Sequence, residues 1–169
     1  MKPEIWYDWD NNKNQSVFEN NFYNLHAPDI KEDTTMDANM KKRNELLAKT
    51  VIKGLESRNM SGYYAQDKEA ALKQALELIP NGSTIAMGGC MSAHEIGLVK
   101  ALQDGEYNYI DRAKLEPREG LMAAYDADFF LSSANAVTDD GVLVNIDGNS
   151  NRVSCIAQGP KKVIFIVGI

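Results

Sequence analysis

Val163-Ile164-Phe165-Ile166-Val167 is an unbroken apolar run that follows the turn Gly159-Pro160-Lys161-Lys162. A strand wetted on one face alternates apolar and polar residues. This run does not alternate, so it predicts a central strand covered on both faces, which requires helices above and below a sheet. Two shorter apolar runs have the same character. Ile85 to Met87 follows the turn signal Pro80-Asn81-Gly82, and Asp128-Phe129-Phe130-Leu131-Ser132-Ser133 ends in small polar residues.

Helical patterns lie between these runs. Leu46, Leu47, Val51, Ile52, Leu55 and Met60 recur at helical spacing from about residue 37 to 59. Asp67 is placed to cap a second helix that carries Ala71, Leu72, Ala75, Leu76 and Ile79 on one face. A third helix is expected from Ser92 to about Leu102, and Pro117 opens a short one through Tyr125. Short strands are expected within Ser61 to Gln66 and over Tyr107 to Ile110. Val142 to Ile146 and Arg152 to Ala157 read as two antiparallel strands joined by Asp147-Gly148-Asn149-Ser150-Asn151. Strands alternating with helices, plus one terminal β-hairpin, predict an α/β three-layer domain with a mostly parallel sheet.

The chain has 169 residues, 44% of them apolar and 25% charged. That is enough for one soluble domain with a real core. The net charge of −6 and pI near 4.9 argue against a nucleic-acid partner, which needs clustered Lys and Arg. No apolar run approaches the roughly 18–20 residues that span a membrane. The N-terminal Met-Lys-Pro-Glu-Ile-Trp-Tyr-Asp-Trp-Asp lacks the apolar core of a signal peptide. Cys90 and Cys155 are too few for a four-thiolate iron–sulfur cluster, and no CxxC spacing exists for zinc. No metal site and no intrinsic cofactor are expected, and a cytoplasmic protein with reduced thiols is the simplest compartment.

Residues 1–35 stand apart. They carry seven acids against three lysines and are rich in Asn. Trp6, Tyr7, Trp9, Phe18, Phe22 and Tyr23 are too many aromatics for a typical disordered tail. The segment reads either as an arm docking on its own domain or a neighbouring subunit, or as a partly ordered extension without function. The folded domain is expected over residues 36–169.

The chemistry gathers at Ser83 to Gly97. Gly88-Gly89 lets the backbone turn sharply and approach a ligand after a strand. Ser92 and Glu95 have the spacing of a capping box, and a helix N-terminus after a glycine turn attracts anions. Ligands of open parallel sheets bind at the carboxyl ends of strands. That places Gly88-Gly89-Cys90 opposite Ser132-Ser133-Ala134-Asn135, with a pocket between them. Gly88, Gly89, Cys90, Ser92, Asn135, Asp140 and Arg152 are the candidate ligand-binding residues; Arg152 suits a bidentate grip on a carboxylate. Cys90 reads either as a reactive thiol near a helix start or, more simply, as a small residue. His94 reads as a surface histidine or an anion ligand. Glu95 is the candidate catalytic carboxylate, set against its structural reading as the partner of Ser92.

Five ordered blocks then resemble one family. They are Met87-Gly88-Gly89-Cys90-Met91-Ser92-Ala93-His94-Glu95-Ile96-Gly97; Tyr109-Ile110-Asp111-Arg112; Ser132 to Gly141; Asn145 to Val153; and Gly159-Pro160-Lys161-Lys162-Val163-Ile164. This pattern resembles the lactate-utilisation (LUD) domain family from about residue 37 to the end. The resemblance implies a fold like that of ribose-phosphate isomerases, glucosamine-phosphate deaminases and CoA transferases. It implies a role beside an oxidoreductase system for lactate, with iron–sulfur proteins as partners. The Gly88-Gly89 turn is expected to take a small anionic metabolite or nucleotide-like ligand, and a homo-oligomer is one expected form of assembly. The alternatives are a stand-alone enzyme of the isomerase or CoA-transferase type and a scaffold without chemistry. The turn has Cys90 where the family usually has Ser, the segment Asp111 to Tyr125 is shorter than usual, and the domain reads as shortened after Ile169.

Overall fold

A computed structural model describes residues 38–168. The expected N-terminal arm lies outside the described residues. Helix α1 (Ala38–Glu56) is followed by α2 (Lys68–Leu78), where Asp67 accepts the N–H of Ala70 at 2.8 Å as the expected N-cap. The segment between them holds Gly-Tyr-Tyr-Ala, but it joins no sheet, so the strand expected there does not form. Tyr63 and Tyr64 are exposed.

Then come β1 (Thr84–Met87), α3 (Met91–Glu95), α4 (Leu98–Asp104), β2 (Asn108–Tyr109), a 3-10 turn (Arg112–Lys114) and α5 (Pro117–Tyr125). They are followed by β3 (Phe129–Ser132), β4 (Ala136–Val137), β5 (Leu143–Val144), α6 (Val153–Ala157) and β6 (Lys162–Phe165). The main sheet has the order β2-β1-β3-β6, and every pairing is parallel.

The strands are apolar on both sides because helices cover both sides. Ile85, Phe129 and Leu131 pack with Ala75 and Ile79 from the α2 side and with Leu98 and Leu102 of α4. Ala86 and Phe130 face the other way, onto Ala124, Ala127 and Cys155 in and around α5 and α6. Phe130, Leu131, Ile85, Leu98 and Leu102 are fully buried. At roughly 2 kcal/mol for each fully buried large side chain, this central pair of strands is where most hydrophobic stabilisation concentrates. The result is the expected three-layer α/β domain with a parallel sheet.

Asp128, at the amino end of β3, ties three strands. Its carboxylate accepts the N–H of Thr84 at 2.8 Å and the ammonium of Lys161 at 2.7 Å. The Lys161 hydrogen bond holds the Asp128 carboxyl below its ordinary value.

Three expectations are corrected. The antiparallel hairpin exists, but it pairs Ala136 with Val144 and Val137 with Leu143. Arg152 to Ala157 is not its second strand, because Asp147 accepts the backbone N–H groups of Arg152 and Val153 at 2.7 and 2.5 Å and starts α6 there. The single helix expected from Ser92 to Leu102 is two, divided at Gly97 with φ +78°. Finally, β6 is not central. It pairs with β3 alone and forms an edge of the described sheet, with Val163 to Ile166 half-buried.

The hairpin turn is held against α1. A Cβ on Gly54 would lie 2.0 Å from the carbonyl oxygen of Asp140, so helix and turn meet backbone to backbone. Arg58 reinforces the contact by donating to Asp140 O at 2.6 Å and pairing with its carboxylate at 3.1 Å.

Candidate functional site

The chain leaves β1 toward β2 on one side and leaves β3 toward β6 on the other. The strand order therefore turns back between β1 and β3. Such a reversal opens a crevice in parallel α/β sheets. Gly88 borders it, donating its N–H to Leu131 O at 2.9 Å as the last rung between the two strands.

The two faces of this crevice differ. On the α3 face, Cys90 is 2% exposed and packs with Ala93 and Val99, against Met87, Tyr109 and Ile166. Burial pushes the Cys90 thiol above its ordinary pKa, outweighing the Ala93 hydrogen bond and the charge of Arg152 that act the other way. A buried thiol of this kind is protonated and slow to react. Cys155 belongs to the cluster on the opposite face, and burial raises its thiol too.

The α5/α6 face is polar and organised by Arg152. Its stem crosses Gly88, where a Cβ would meet Arg152 Cγ and Phe130 Cζ at 3.0 Å each. Glycine at 88 therefore makes room for an arginine of the chain itself. The guanidinium of Arg152 donates to Asp147 at 3.0 Å, Ser133 O at 2.5 Å, Asn135 Oδ1 at 2.6 Å and Ile146 O at 3.2 Å. The Arg152 and Asp147 side chains are only 10% and 7% exposed. Burial alone would raise the Asp147 carboxyl. The N–H of Val153, the Arg152 side chain and the Arg152 N–H together hold it below the ordinary aspartate value. A buried pair is costly to form but fixes geometry when all its donors are matched. Here it welds Ser133, Asn135, Ile146 and the start of α6 into one rigid wall.

The expected residues thus separate. Gly88, Asn135 and Arg152 come together, with Arg152 committed largely to the protein's own acceptors. Gly89 is exposed, and a Cβ on it would meet nothing within 4 Å. Ser92 lies inside α3, whose N-cap is Cys90 without a side-chain cap bond, so the expected capping box does not form. Glu95 is exposed and lies 3.7 Å from Lys68. Asp140 belongs to the hairpin turn, bonded to Thr138 and Arg58, with the Thr138 hydroxyl foremost in lowering its pKa. His94 is exposed.

Sequence reasoning passed over Arg112. It follows β2 on the carboxyl edge of the sheet and donates Nη1 to Met87 O at 3.3 Å. An arginine just past a predicted strand end was the available signal. A separate shallow depression of about 530 Å³ lies along α2 at Glu69, Leu72, Lys73, Leu76 and Glu77. It is a groove on one helix and gathers no chemistry, so the strand-end crevice is the better candidate. Among the described residues no cluster of His, Cys, Asp or Glu could hold a metal ion, and no helix is long and apolar enough to cross a membrane.

Comparison with known proteins agrees with this architecture. No curated protein matches the chain. No solved structure matches it. A family model described as the LUD domain matches residues 48–169, which takes in α2 through β6 and the second half of α1. The chain therefore belongs to the LUD domain family.

Proposed function

We propose that this LUD domain binds a small anionic ligand, a metabolite or a nucleotide-like molecule, in the crevice between β1 and β3. We further propose that it does so as a cytoplasmic protein serving an oxidoreductase system for lactate. The observation that carries the binding reading is the reversal of strand order beside Gly88-Gly89, walled by the loop that Arg152 and Asp147 hold rigid. A rigid wall lowers the ordering cost of binding. The oxidoreductase partnership is supported by the family. Cys90 and Cys155 lie on opposite faces of the sheet and do not form a redox pair with each other.

Gly89 supplies the test. Its position is open, and a Cβ there meets nothing, so Gly89→Trp sets a bulky side chain beside the turn. In a thermal-shift and NMR titration of the full chain with lactate, nucleotides, sugar phosphates and CoA esters, at least one probe should stabilise the wild type. Gly89→Trp should remove that response while its own melting temperature stays close to wild type. Equal binding by both proteins, or no response to any probe, refutes the crevice as a ligand site. Failure of the tagged chain to co-purify with any iron–sulfur protein from lactate-grown cells counts against the partnership.

A further inference from the structure

We infer that Arg112 is the ligand-facing cation of the β1–β3 crevice, and that the group it takes is an oxyanion, a carboxylate or a phosphoryl group. This deepens the crevice reading above and rests on it.

The argument begins with the backbone. On the β2 side of β1, Ile85 O accepts the N–H of Ile110 at 2.8 Å. Met87 O is the next carbonyl on that side, and β2 has already ended at Tyr109. Arg112 Nη1 fills that place. The bond anchors the guanidinium at the last residue of β1, next to Gly88. Its remaining N–H groups are still available, since among the described residues Arg112 makes no other hydrogen bond and no ion pair.

The two arginines at this end of the sheet are therefore unlike. Arg152 is matched by Asp147 and by three oxygens of its own loop. Arg112 is half-buried, with one carbonyl as its acceptor. Its stem runs along Gly120 in α5, within 3.6–3.7 Å of where a Cβ would stand, so the side chain is supported along its length. It lies on the α5 side of the sheet, close enough to α6 for its charge to act on the Cys155 thiol.

Charge decides the ligand class. With a net charge of −6, the protein repels anions at long range, so an anion is retained only where a local cation has spare donors. Arg152 is paired with Asp147, which leaves Arg112 as the arginine with donors to spare. The planar fork of arginine matches the two oxygens of a carboxylate or phosphoryl group, which an ammonium cannot do.

The test uses the full chain at low ionic strength, with inorganic phosphate and acetate as separate probes and chloride as the control. Amide chemical shifts of Gly88 and Gly89 report binding. Phosphate or acetate, but not chloride, should shift them, and whichever ion binds more tightly identifies the group. Arg112→Gln should weaken that binding by about tenfold or more, the scale of a lost charged hydrogen bond. Arg112→Lys, which keeps the charge and loses the fork, should fall between and serves if the Gln variant does not fold. Undiminished affinity in both Arg112 variants overturns the inference. So does the failure of either ion to bind. If other probes still bind and still depend on Gly89, the crevice reading survives that failure. If Gly89→Trp is also without effect, both fall.

Discussion

Gly54→Ala places two effects of opposite sign on one methyl group. Gly54 lies inside α1, where alanine is the better helix former by about 1 kcal/mol. Considered as a helix alone, α1 gains from the change. The hairpin turn reverses the sign. The new Cβ would stand 2.0 Å from Asp140 O, 2.3 Å from its carbonyl carbon and 2.8 Å from Gly141 N, where ordinary contact begins at 3.4 Å. All three are backbone atoms, so no side chain can swing away and the turn itself must retreat. Overpacking of this kind costs about 1–3 kcal/mol or more. Retreat also strains the Arg58 contacts to Asp140, an exposed pair worth about 0–1 kcal/mol. The expected net effect is a loss of about 1–3 kcal/mol, or roughly 3–10 °C in melting temperature for a domain of this size. Thermal and urea unfolding by circular dichroism measure it, with Gly89→Ala as the control expected within about 0.5 kcal/mol of wild type. A Gly54→Ala protein that melts at or above the wild-type temperature would show that α1 and the hairpin do not touch as described.

Asp147→Ala leaves a buried guanidinium without its carboxylate and should cost about 3–5 kcal/mol, read by urea denaturation; a loss under 1 kcal/mol means the pair is not buried. The same carboxylate sets an acid limit. Because its folded pKa is depressed, its contribution is fully present above the unfolded value near 4 and is lost as pH falls through the lower folded value. Stability measured from pH 6 down to pH 2 should therefore fall with acid in the wild type and less steeply in Asp147→Asn; parallel profiles would exclude this carboxylate as a source. Cys90 and Cys155, both buried with raised thiol pKa values, should resist alkylation in the native protein at pH 7 and react on unfolding. Rapid native labelling of Cys90 would place it at the surface.

The parallel three-layer sheet could be read from Phe129-Phe130-Leu131 and Ile85-Ala86-Met87, because a run that must satisfy two helical layers loses its alternation. The same logic misplaced Val163 to Val167. Hydrophobicity reports that a strand lies between two layers, and does not report whether it has one neighbour or two. The hairpin's first strand was missed because Ala136-Val137 is a two-residue strand with no pattern of its own. Arg152 to Ala157 has the composition of a strand, yet the carboxylate of Asp147, five residues before Arg152, captures two backbone N–H groups and forces a helix start. That is a side-chain decision no periodicity records. In the site, Gly88 and Asn135 were legible from position at strand ends. The roles of the arginines were not, because nothing in the sequence distinguishes an arginine that is satisfied by its own loop from one with donors to spare.

The Asp128 clamp sets an order in time. Its carboxylate joins Thr84, 44 positions earlier, to Lys161, 33 positions later. No rung of the main sheet is local. A chain emerging from the ribosome can complete α1, α2 and the apolar stretch of β1 long before β3 exists to cover Ile85 and Ala86. Topologies dominated by such distant pairings fold slowly, because loop closure precedes any reward from packing. Until residue 129 and its neighbours are made, β1 is an apolar strand with free backbone on its β3 edge. The interval between the synthesis of β1 and that of β3 is when this protein is most open to aggregation, and that is when it has most need of a chaperone.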